Sequence, residues 1–204
     1  SFTNSSHEFA SNLLDTLAGR VRAGNKRLVA SLDAKEHYKR VSRVDALTGL
    51  YNRTWFNDVL VRHCHRAHRE NVPLSAIFID IDHFKRVNDE HGHLAGDLVL
   101  RRVAERLQQG IRSIDSAARF GGEEFVLLLY GINVNEAREI AERLRRDVGN
   151  LNITSGSIQI SVTCSAGVAE LAADESPTDF IKAVDEAMYR AKNGGRNQVV
   201  VRSA

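Results

Sequence analysis

The chain has 204 residues, 43% of them hydrophobic and 26% charged, which is ordinary for a globular protein. Its net charge of +2 is unevenly spread: residues 1–44 hold eight Lys and Arg against four Asp and Glu, and the remainder holds twenty against twenty-two. Residues 45–204 are therefore mildly acidic, which argues against general nucleic-acid binding because that function needs a basic surface.

Cysteine content and hydropathy exclude further classes. Two cysteines, Cys64 and Cys164, are too few for a disulfide framework and suit a reducing, cytoplasmic setting. No apolar run approaches the roughly 20 residues of a membrane span, and no signal-peptide pattern opens the chain. Because the chain begins with Ser1-Phe2-Thr3 and lacks an initiator Met, it is expected to be part of a longer protein.

Residues 1–44 are predicted to form a long helix that acts as a signalling stalk. Leu14, Val21 and Leu28 are seven residues apart and Leu17 lies three after the first, which is a weak coiled-coil pattern. This pattern predicts that two copies of the chain pair through the stalk. The alternative is a helix that packs on its own domain, which would span residues 45–204.

An amphipathic helix is predicted from Thr54 to Glu70, after a linker with turn chemistry at residues 45–53. The helix carries side chains of metal-ligating type at spacings that share a face, namely His63, Cys64, His65 and His68. No matching ligand cluster lies nearby, so a solvated face is favoured over a metal site.

The next apolar run, Leu74–Ile79, is predicted to be a buried strand and ends in Asp80-Ile81-Asp82. Side chains alternate along a strand, so Asp80 and Asp82 would share one face. Carboxylates at the end of a central strand are well placed to bind a ligand. At least one of the two is expected instead to cap the following turn.

A hairpin is predicted between strands at Ser116–Phe120 and Phe125–Tyr130. Gly121 and Gly122 would supply positive φ at its tip, where Glu123 and Glu124 also lie. Two acidic strand ends in one domain favour a site for one or two Mg²⁺ ions, which bind a few carboxylates together with substrate phosphates. A nucleoside triphosphate is therefore the predicted substrate class.

Between these acidic segments, Asn88 and Asp97 are candidate readers of a base. A carboxylate can accept hydrogen bonds from N1–H and the 2-amino group of guanine, and an amide offers both polarities to its other edges. Adenine lacks that pair of donors, so Asp97 argues against ATP as the substrate.

The remaining pattern predicts an α+β fold with a mostly antiparallel central sheet flanked by helices. Helices are predicted at Leu98–Gln109, Asn135–Val148 and Thr178–Lys192, the last of them ended by Gly194-Gly195. Strands are predicted at Ser157–Thr163, Ser165–Leu171 and Asn197–Arg202.

Several linked motifs between Asp45 and Val201 closely resemble the GGDEF-type diguanylate cyclases. They are Asp-Ala-Leu-Thr-Gly-Leu-Tyr-Asn-Arg from Asp45, Asp-Ile-Asp-His-Phe-Lys from Asp80, Asn88-Asp89, Gly92-His93, Gly96-Asp97 and Arg-Phe-Gly-Gly-Glu-Glu-Phe from Arg119. One motif would be weak, but this many in order are a strong signal. The signature occurs in its GGEEF form.

The resemblance implies a nucleotidyl-cyclase-like palm fold and the condensation of two GTP molecules into cyclic di-GMP, with release of two pyrophosphates. It implies Mg²⁺, two ions per half-site, with ligands at Asp80, the Ile81 carbonyl, Glu123 and Glu124. Glu123 also matches the candidate base for the 3′-hydroxyl, and Lys85 a lysine near the reacting phosphate. Further implied substrate contacts are Asn88, His93, Asp97, Lys192 and Arg196.

The resemblance also implies a product-inhibition site of the RxxD type. Arg112-Ser113-Ile114-Asp115 stands at that position, and Arg143 matches a further contributing arginine. Arginine can stack on guanine and fork onto phosphate, which suits cyclic di-GMP. The alternative is an exposed Arg and Asp at the entry to a strand.

Because each domain would hold one GTP, the implied enzyme is a homodimer whose half-sites face each other. The competing hypothesis is a catalytically silent domain that binds GTP or cyclic di-GMP as a receptor. Such domains usually lack a signature carboxylate or a guanine reader, and this chain has both. A third hypothesis, a coiled-coil dimerisation module with an incidental domain, is disfavoured by the complete acidic pair.

Overall fold

The computed structural model describes residues 43–156 and 158–202. The helices are α1 (Arg53–Glu70), α2 (Phe84–His91), α3 (His93–Gln109), α4 (Val134–Gly149) and α5 (Pro177–Asn193). The strands are β1 (Tyr51–Asn52), β2 (Leu74–Ile81), β3 (Ser116–Arg119), β4 (Glu124–Tyr130), β5 (Ile153–Ser155), β6 (Ile158–Ile160), β7 (Cys164–Glu170) and β8 (Val199–Val201). Residues 1–42 of the predicted stalk lie outside the described residues, and the domain division at residue 45 stays a prediction.

A six-stranded sheet forms the centre, in the order β1-β3-β4-β2-β7-β8. The pairs β3–β4, β4–β2 and β2–β7 are antiparallel, whereas the outer pairs β1–β3 and β7–β8 are parallel. Strands β5 and β6 form a separate two-stranded ribbon. The predicted α+β class with a mostly antiparallel sheet is confirmed.

Alternation along the central strand β2 builds a core on each face of the sheet. Ile77, Ile79 and Ile81 lie in a cluster with apolar side chains of α2, α3 and α4. Phe78, with its even-numbered neighbours, lies in a second cluster with α1 and α5. Since the period is two residues, Asp80 continues the α1/α5 face, at the end of a strand that is buried throughout.

Four local features differ from the predictions. Residues 84–91 form a helix that the sequence analysis missed, and α3 begins at His93 instead of Leu98. The strand predicted over 157–163 is instead the ribbon strand β6, which ends at Ile160. The described residues also include β1, which joins the sheet edge where a linker was predicted.

The structure also changes the reason for the signature glycines. Neither Gly121 nor Gly122 has the positive φ that the hairpin prediction assigned to them. Gly121 is required for space, because a Cβ there would overlap the carboxylate of Glu124, whereas nothing lies within 4 Å of a Cβ at Gly122. The two glycines therefore leave bare backbone beside the acidic side chains.

Candidate active site

Asp80 is the buried centre of the acidic cluster, with 2% of its surface exposed. Lys192, near the end of α5, donates to the Oδ2 atom of Asp80 at 2.8 Å. Burial raises the pKa of Asp80, and the Lys192 ammonium opposes that shift without cancelling it. Arg196 contributes in the same direction as Lys192, so both predicted phosphate-binding cations act on this carboxylate.

The signature hairpin brings two more carboxylates to the same strand end. Glu124 is the register partner of Asp80 across β2 and β4, and Ile81 N–H donates to the carbonyl oxygen of Glu123 at 3.3 Å. Burial and the charge of Asp80 raise the pKa of both glutamates, and Asp185 adds to the effect on Glu124. The repulsion among these acids makes the cluster a site where a cation is favoured.

The hairpin aims its two glutamates at different clefts. Glu123 lines a cleft of about 510 Å³ together with residues of α2 and α3, which include Lys85, Asn88, His93 and Asp97. Glu124 lines a cleft of about 440 Å³ with Asp185, Tyr189 and Lys192 of α5. Predicted residues from four separate sequence segments thus meet around the hairpin.

The predicted base readers are held by contact between α2 and α3. Asn88, on α2, lies against Gly96 on α3, where a Cβ would overlap the Oδ1 atom of Asn88 and lie 3.2 Å from Phe84 Cζ. Asp97 follows directly in α3. The helix that sequence reasoning missed is therefore the element that presents Lys85 and Asn88.

Arg119 connects the signature hairpin to the segment just before β1. Its guanidinium donates to the Gly122 carbonyl oxygen at 2.6 and 3.0 Å and to Asp45 at 3.2 and 3.3 Å. Burial raises the pKa of Asp45, but hydrogen bonds from Thr48 and the charge of Arg119 outweigh it and lower the pKa. The predicted linker is thus part of the site's support, which turn signals alone could not indicate.

Asp82 has a different environment from Asp80. Its carboxylate accepts from Thr163 Oγ1 and Ser165 Oγ, both at 2.7 Å, and from the Asn197 backbone N–H at 3.1 Å. The prediction that one of the two aspartates caps the following turn is wrong for Asp82, because its partners lie much farther along the chain.

The residues predicted for product inhibition lie on another surface. Arg112 donates to both oxygens of Asp115, at 2.8 and 3.0 Å, and to the Tyr130 carbonyl oxygen at 3.0 Å. Arg143, on α4, donates to the Gly110 carbonyl oxygen at 2.7 Å and lines a cleft of about 910 Å³ with Arg138. Half of the Arg112 side chain is exposed, so its guanidinium is accessible to a ligand.

The histidine-rich stretch of α1 is divided between the core and the surface. Cys64 is buried in the core, which corrects the prediction of a solvated face for that residue, while His65 and His68 are exposed. Within the described residues, no three His, Cys, Asp or Glu side chains are arranged to enclose a metal by themselves. The acidic cluster at Asp80 still fits Mg²⁺, which takes one or two carboxylates and completes its shell with substrate phosphates.

Replacing Glu124 with Gln is expected to raise the melting temperature at pH 7 in a chelating buffer. Folding raises the pKa of Glu124 above its usual 4.5, so ionisation destabilises the fold as the pH rises through the interval above 4.5. The gain in melting temperature should shrink at pH 4, where the Glu124 carboxyl is mostly protonated in both the folded and the unfolded state. Glu105→Gln, on an exposed ion pair with Arg102, is the control. A lower melting temperature for Glu124→Gln at pH 7 would contradict the electrostatic argument.

No helix within residues 43–156 and 158–202 combines the length and apolar character needed to cross a bilayer. Residues 42–198 match the family model described as "Diguanylate cyclase, GGDEF domain". The diguanylate cyclase DgcP of Pseudomonas aeruginosa is 38% identical over 191 residues, which cover 94% of this chain and 28% of DgcP. The response regulator PleD of Caulobacter vibrioides is 40% identical over 172 residues, 83% of this chain and 38% of PleD.

Solved structures show the same fold. The coiled coil and GGDEF domain of DgcB from Caulobacter crescentus, in complex with c-di-GMP, has a TM-score of 0.78 and 31% identity, and the match covers 91% of this chain and 98% of that one. The chain spans less than two fifths of the length of DgcP or PleD.

Proposed function

The chain belongs to the GGDEF family of diguanylate cyclase domains, and on that premise we propose that it condenses two GTP molecules into cyclic di-GMP and two pyrophosphates. One observation carries the proposal: Glu123 lines the same cleft as Asn88 and Asp97. A base bound by the two polar side chains would place its phosphates toward the signature hairpin.

We assign the following roles to the chain's own residues. Asn88 and Asp97 bind the guanine edge, and His93 contacts the substrate beside them. Lys85 neutralises charge on the reacting phosphate, while Lys192 and Arg196 hold the terminal phosphates. Glu123 accepts the proton of the attacking 3′-hydroxyl, or serves as a metal ligand; the two roles compete for one carboxylate.

We expect Mg²⁺ at the acidic cluster, two ions in each half-site, held by Asp80, Glu123, Glu124 and the Ile81 carbonyl. When bound, the metal supplies positive charge to the phosphates. Lys192 pairs with Asp80 at 2.8 Å. Its ammonium can therefore exchange that carboxylate for a phosphate when substrate and metal arrive together.

The product has two-fold symmetry, so two domains must face each other with one GTP each. Each 3′-hydroxyl then attacks the α-phosphorus of the GTP in the partner. We propose that residues 1–44 pair the two copies. The rate per chain should therefore increase with protein concentration until the dimer is fully formed.

Incubation of the purified chain with GTP and Mg²⁺, followed by chromatography, tests the proposal. Cyclic di-GMP should appear with GTP, and no corresponding product should appear with ATP. Absence of product from a chain shown to be dimeric would favour the second candidate, a receptor for GTP or cyclic di-GMP. Equal use of ATP would contradict the assignment of Asn88 and Asp97.

Replacing Gly96 with Ala is expected to weaken GTP binding by roughly tenfold, the scale of one lost hydrogen bond to a buried polar group. The new methyl would displace the Asn88 carboxamide, which is the movable end of a side chain, and would lie 3.2 Å from Phe84 Cζ. Calorimetry should give Gly96→Ala and Asn88→Ala similar losses. Gly149→Ala, at a position with nothing within 4 Å of the added Cβ, is the control. Unchanged affinity in Gly96→Ala would contradict the role of Asn88.

We propose further that cyclic di-GMP inhibits the enzyme at Arg112, Asp115 and Arg143. Arg112→Ala is expected to raise the half-inhibitory product concentration by at least about tenfold, because hydrogen bonds to charged groups are the strong ones. Initial rates across added cyclic di-GMP measure the effect. Arg102→Ala, on an exposed pair, serves as control. Unchanged inhibition of Arg112→Ala by cyclic di-GMP would contradict the proposed inhibitory site.

A further inference from the structure

The turn that follows α5 contains two successive residues in the left-handed backbone conformation. Arg196 and Asn197 have φ of 64° and 45°, and neither is glycine. Left-handed conformations cost most residues roughly 1 kcal/mol or more and Asn less, so the cost falls mainly on Arg196. Two in succession are retained only where neighbouring groups fix them.

Two side chains from distant parts of the chain fix Asn197. Asp82, at the end of β2, accepts from its backbone N–H at 3.1 Å. Arg145, on α4, donates from Nη1 to its Oδ1 atom at 2.6 Å. The backbone N–H of Arg196 also donates to the Ala191 carbonyl oxygen at 3.1 Å, which ties the turn to α5.

Both anchoring side chains are themselves held rigidly. Asp82 is 4% exposed and is fixed by the Thr163 and Ser165 hydroxyls. The Arg145 side chain is 20% exposed and pairs with Glu142 at 3.0 Å. The turn is therefore clamped between the strand that carries Asp80 and a helix on the α3/α4 face of the sheet.

The clamp determines where Arg196 lies. Asn197, its neighbour, donates from its backbone N–H to Asp82, two positions after Asp80, so the Arg196 backbone lies beside the end of β2, although its side chain is exposed. An exposed arginine on an unrestrained turn would sample many positions. With Asn197 fixed on both sides, the Arg196 side chain extends from a fixed backbone position beside the acidic cluster, where the nucleotide phosphates would come.

We propose that Asp82 and Arg145 are positioning residues: by holding Asn197 they keep Arg196 where it can bind the terminal phosphates of the nucleotide. This inference rests on the function proposed above. It predicts that loosening the clamp weakens recognition of the β- and γ-phosphates and leaves recognition of guanosine unchanged. A merely structural contact would affect both alike or neither.

The test compares α,β-methylene-GTP, which the enzyme cannot condense, with GMP as calorimetric ligands in the presence of Mg²⁺. Asn197→Gly removes the hydrogen bond to Arg145. Glycine adopts positive φ easily and keeps the backbone N–H that donates to Asp82, so the variant is expected to fold. It should weaken binding of the triphosphate by roughly fivefold, the scale of one ordering hydrogen bond, and leave GMP binding unchanged. Arg145→Met removes the same bond from the other side, and the double variant should lose no more than either single one.

Asp174→Gly is the matched control, because Asp174 is also exposed and has φ of 57°, but lies beside a cleft at the far end of α1. It should leave both affinities unchanged. If Asn197→Gly binds both ligands as tightly as the unmodified chain, or loses both equally, the positioning role is overturned while the proposed function stands. If the unmodified chain binds neither ligand, the proposed function and this inference are both overturned.

Discussion

Replacing Glu123 with Gln is expected to lower the rate of cyclic di-GMP synthesis by at least about a hundredfold, the usual contribution of a positioned acid–base group. Glu123 is the signature carboxylate that lines the cleft with Asn88 and Asp97. Gln keeps its size and loses its charge, so it can neither accept the proton of the 3′-hydroxyl nor act as a strong ligand for Mg²⁺. Chromatographic rates at saturating GTP measure the loss.

The same variant should be at least as stable as the unmodified chain. Burial and the charge of Asp80 raise the pKa of Glu123, so the ionised carboxylate disfavours the folded state at neutral pH. Loss of activity together with an unchanged or higher melting temperature would separate chemistry from folding. Glu105→Gln removes an exposed carboxylate from α3 and should change neither quantity.

A Glu123→Gln chain that retains most of its activity would show that neither metal binding nor proton transfer depends on this carboxylate. If both chains are inactive while both bind GTP at dimeric concentrations, the receptor hypothesis gains support.

The strands that carry the acidic cluster could be predicted because their sequence contains the reason for their position. Residues 74–79 and 125–130 are continuous apolar runs, which is what a strand covered on both faces requires. The carboxylates follow from their place at the ends of these runs. The turn signal was less informative, because Gly121 leaves room for the carboxylate of Glu124 and does not adopt a positive φ.

The contacts that complete the site could not be predicted, because they join residues far apart in the chain. Lys192 and Asp80 are 112 positions apart, Asn197 and Asp82 are 115, and Arg119 and Asp45 are 74. No periodicity links such pairs. The first two meet only when α5 and the sheet pack, and the third only when the segment before β1 joins the edge of the sheet at β3. Helix α2 was missed because its eight residues are mostly polar and too short for a clear helical period.

Replacing Gly167 with Ala is expected to destabilise the protein by about 3 kcal/mol or more, at the upper end of the cost of overpacking a core. Gly167 lies in β7, where α5 crosses the sheet, and a Cβ there would overlap the backbone N of Met188 and the carbonyl oxygen of Val184 and lie 2.8 Å from the Ala187 carbonyl carbon. Backbone cannot rotate away as a side chain can, so the helix must shift as a whole. Denaturant unfolding measures the loss.

That shift should also reach the active site, because α5 carries Lys192 and leads into the turn with Arg196. At temperatures where Gly167→Ala remains folded, its affinity for GTP should fall as well. The control for stability is Gly149→Ala, which adds a methyl in open space at the end of α4 and is expected to be neutral or stabilising by roughly 0.5 kcal/mol. Equal stability of the two variants would mean that β7 and α5 can separate freely, contrary to the close backbone contact on which the position of Lys192 depends.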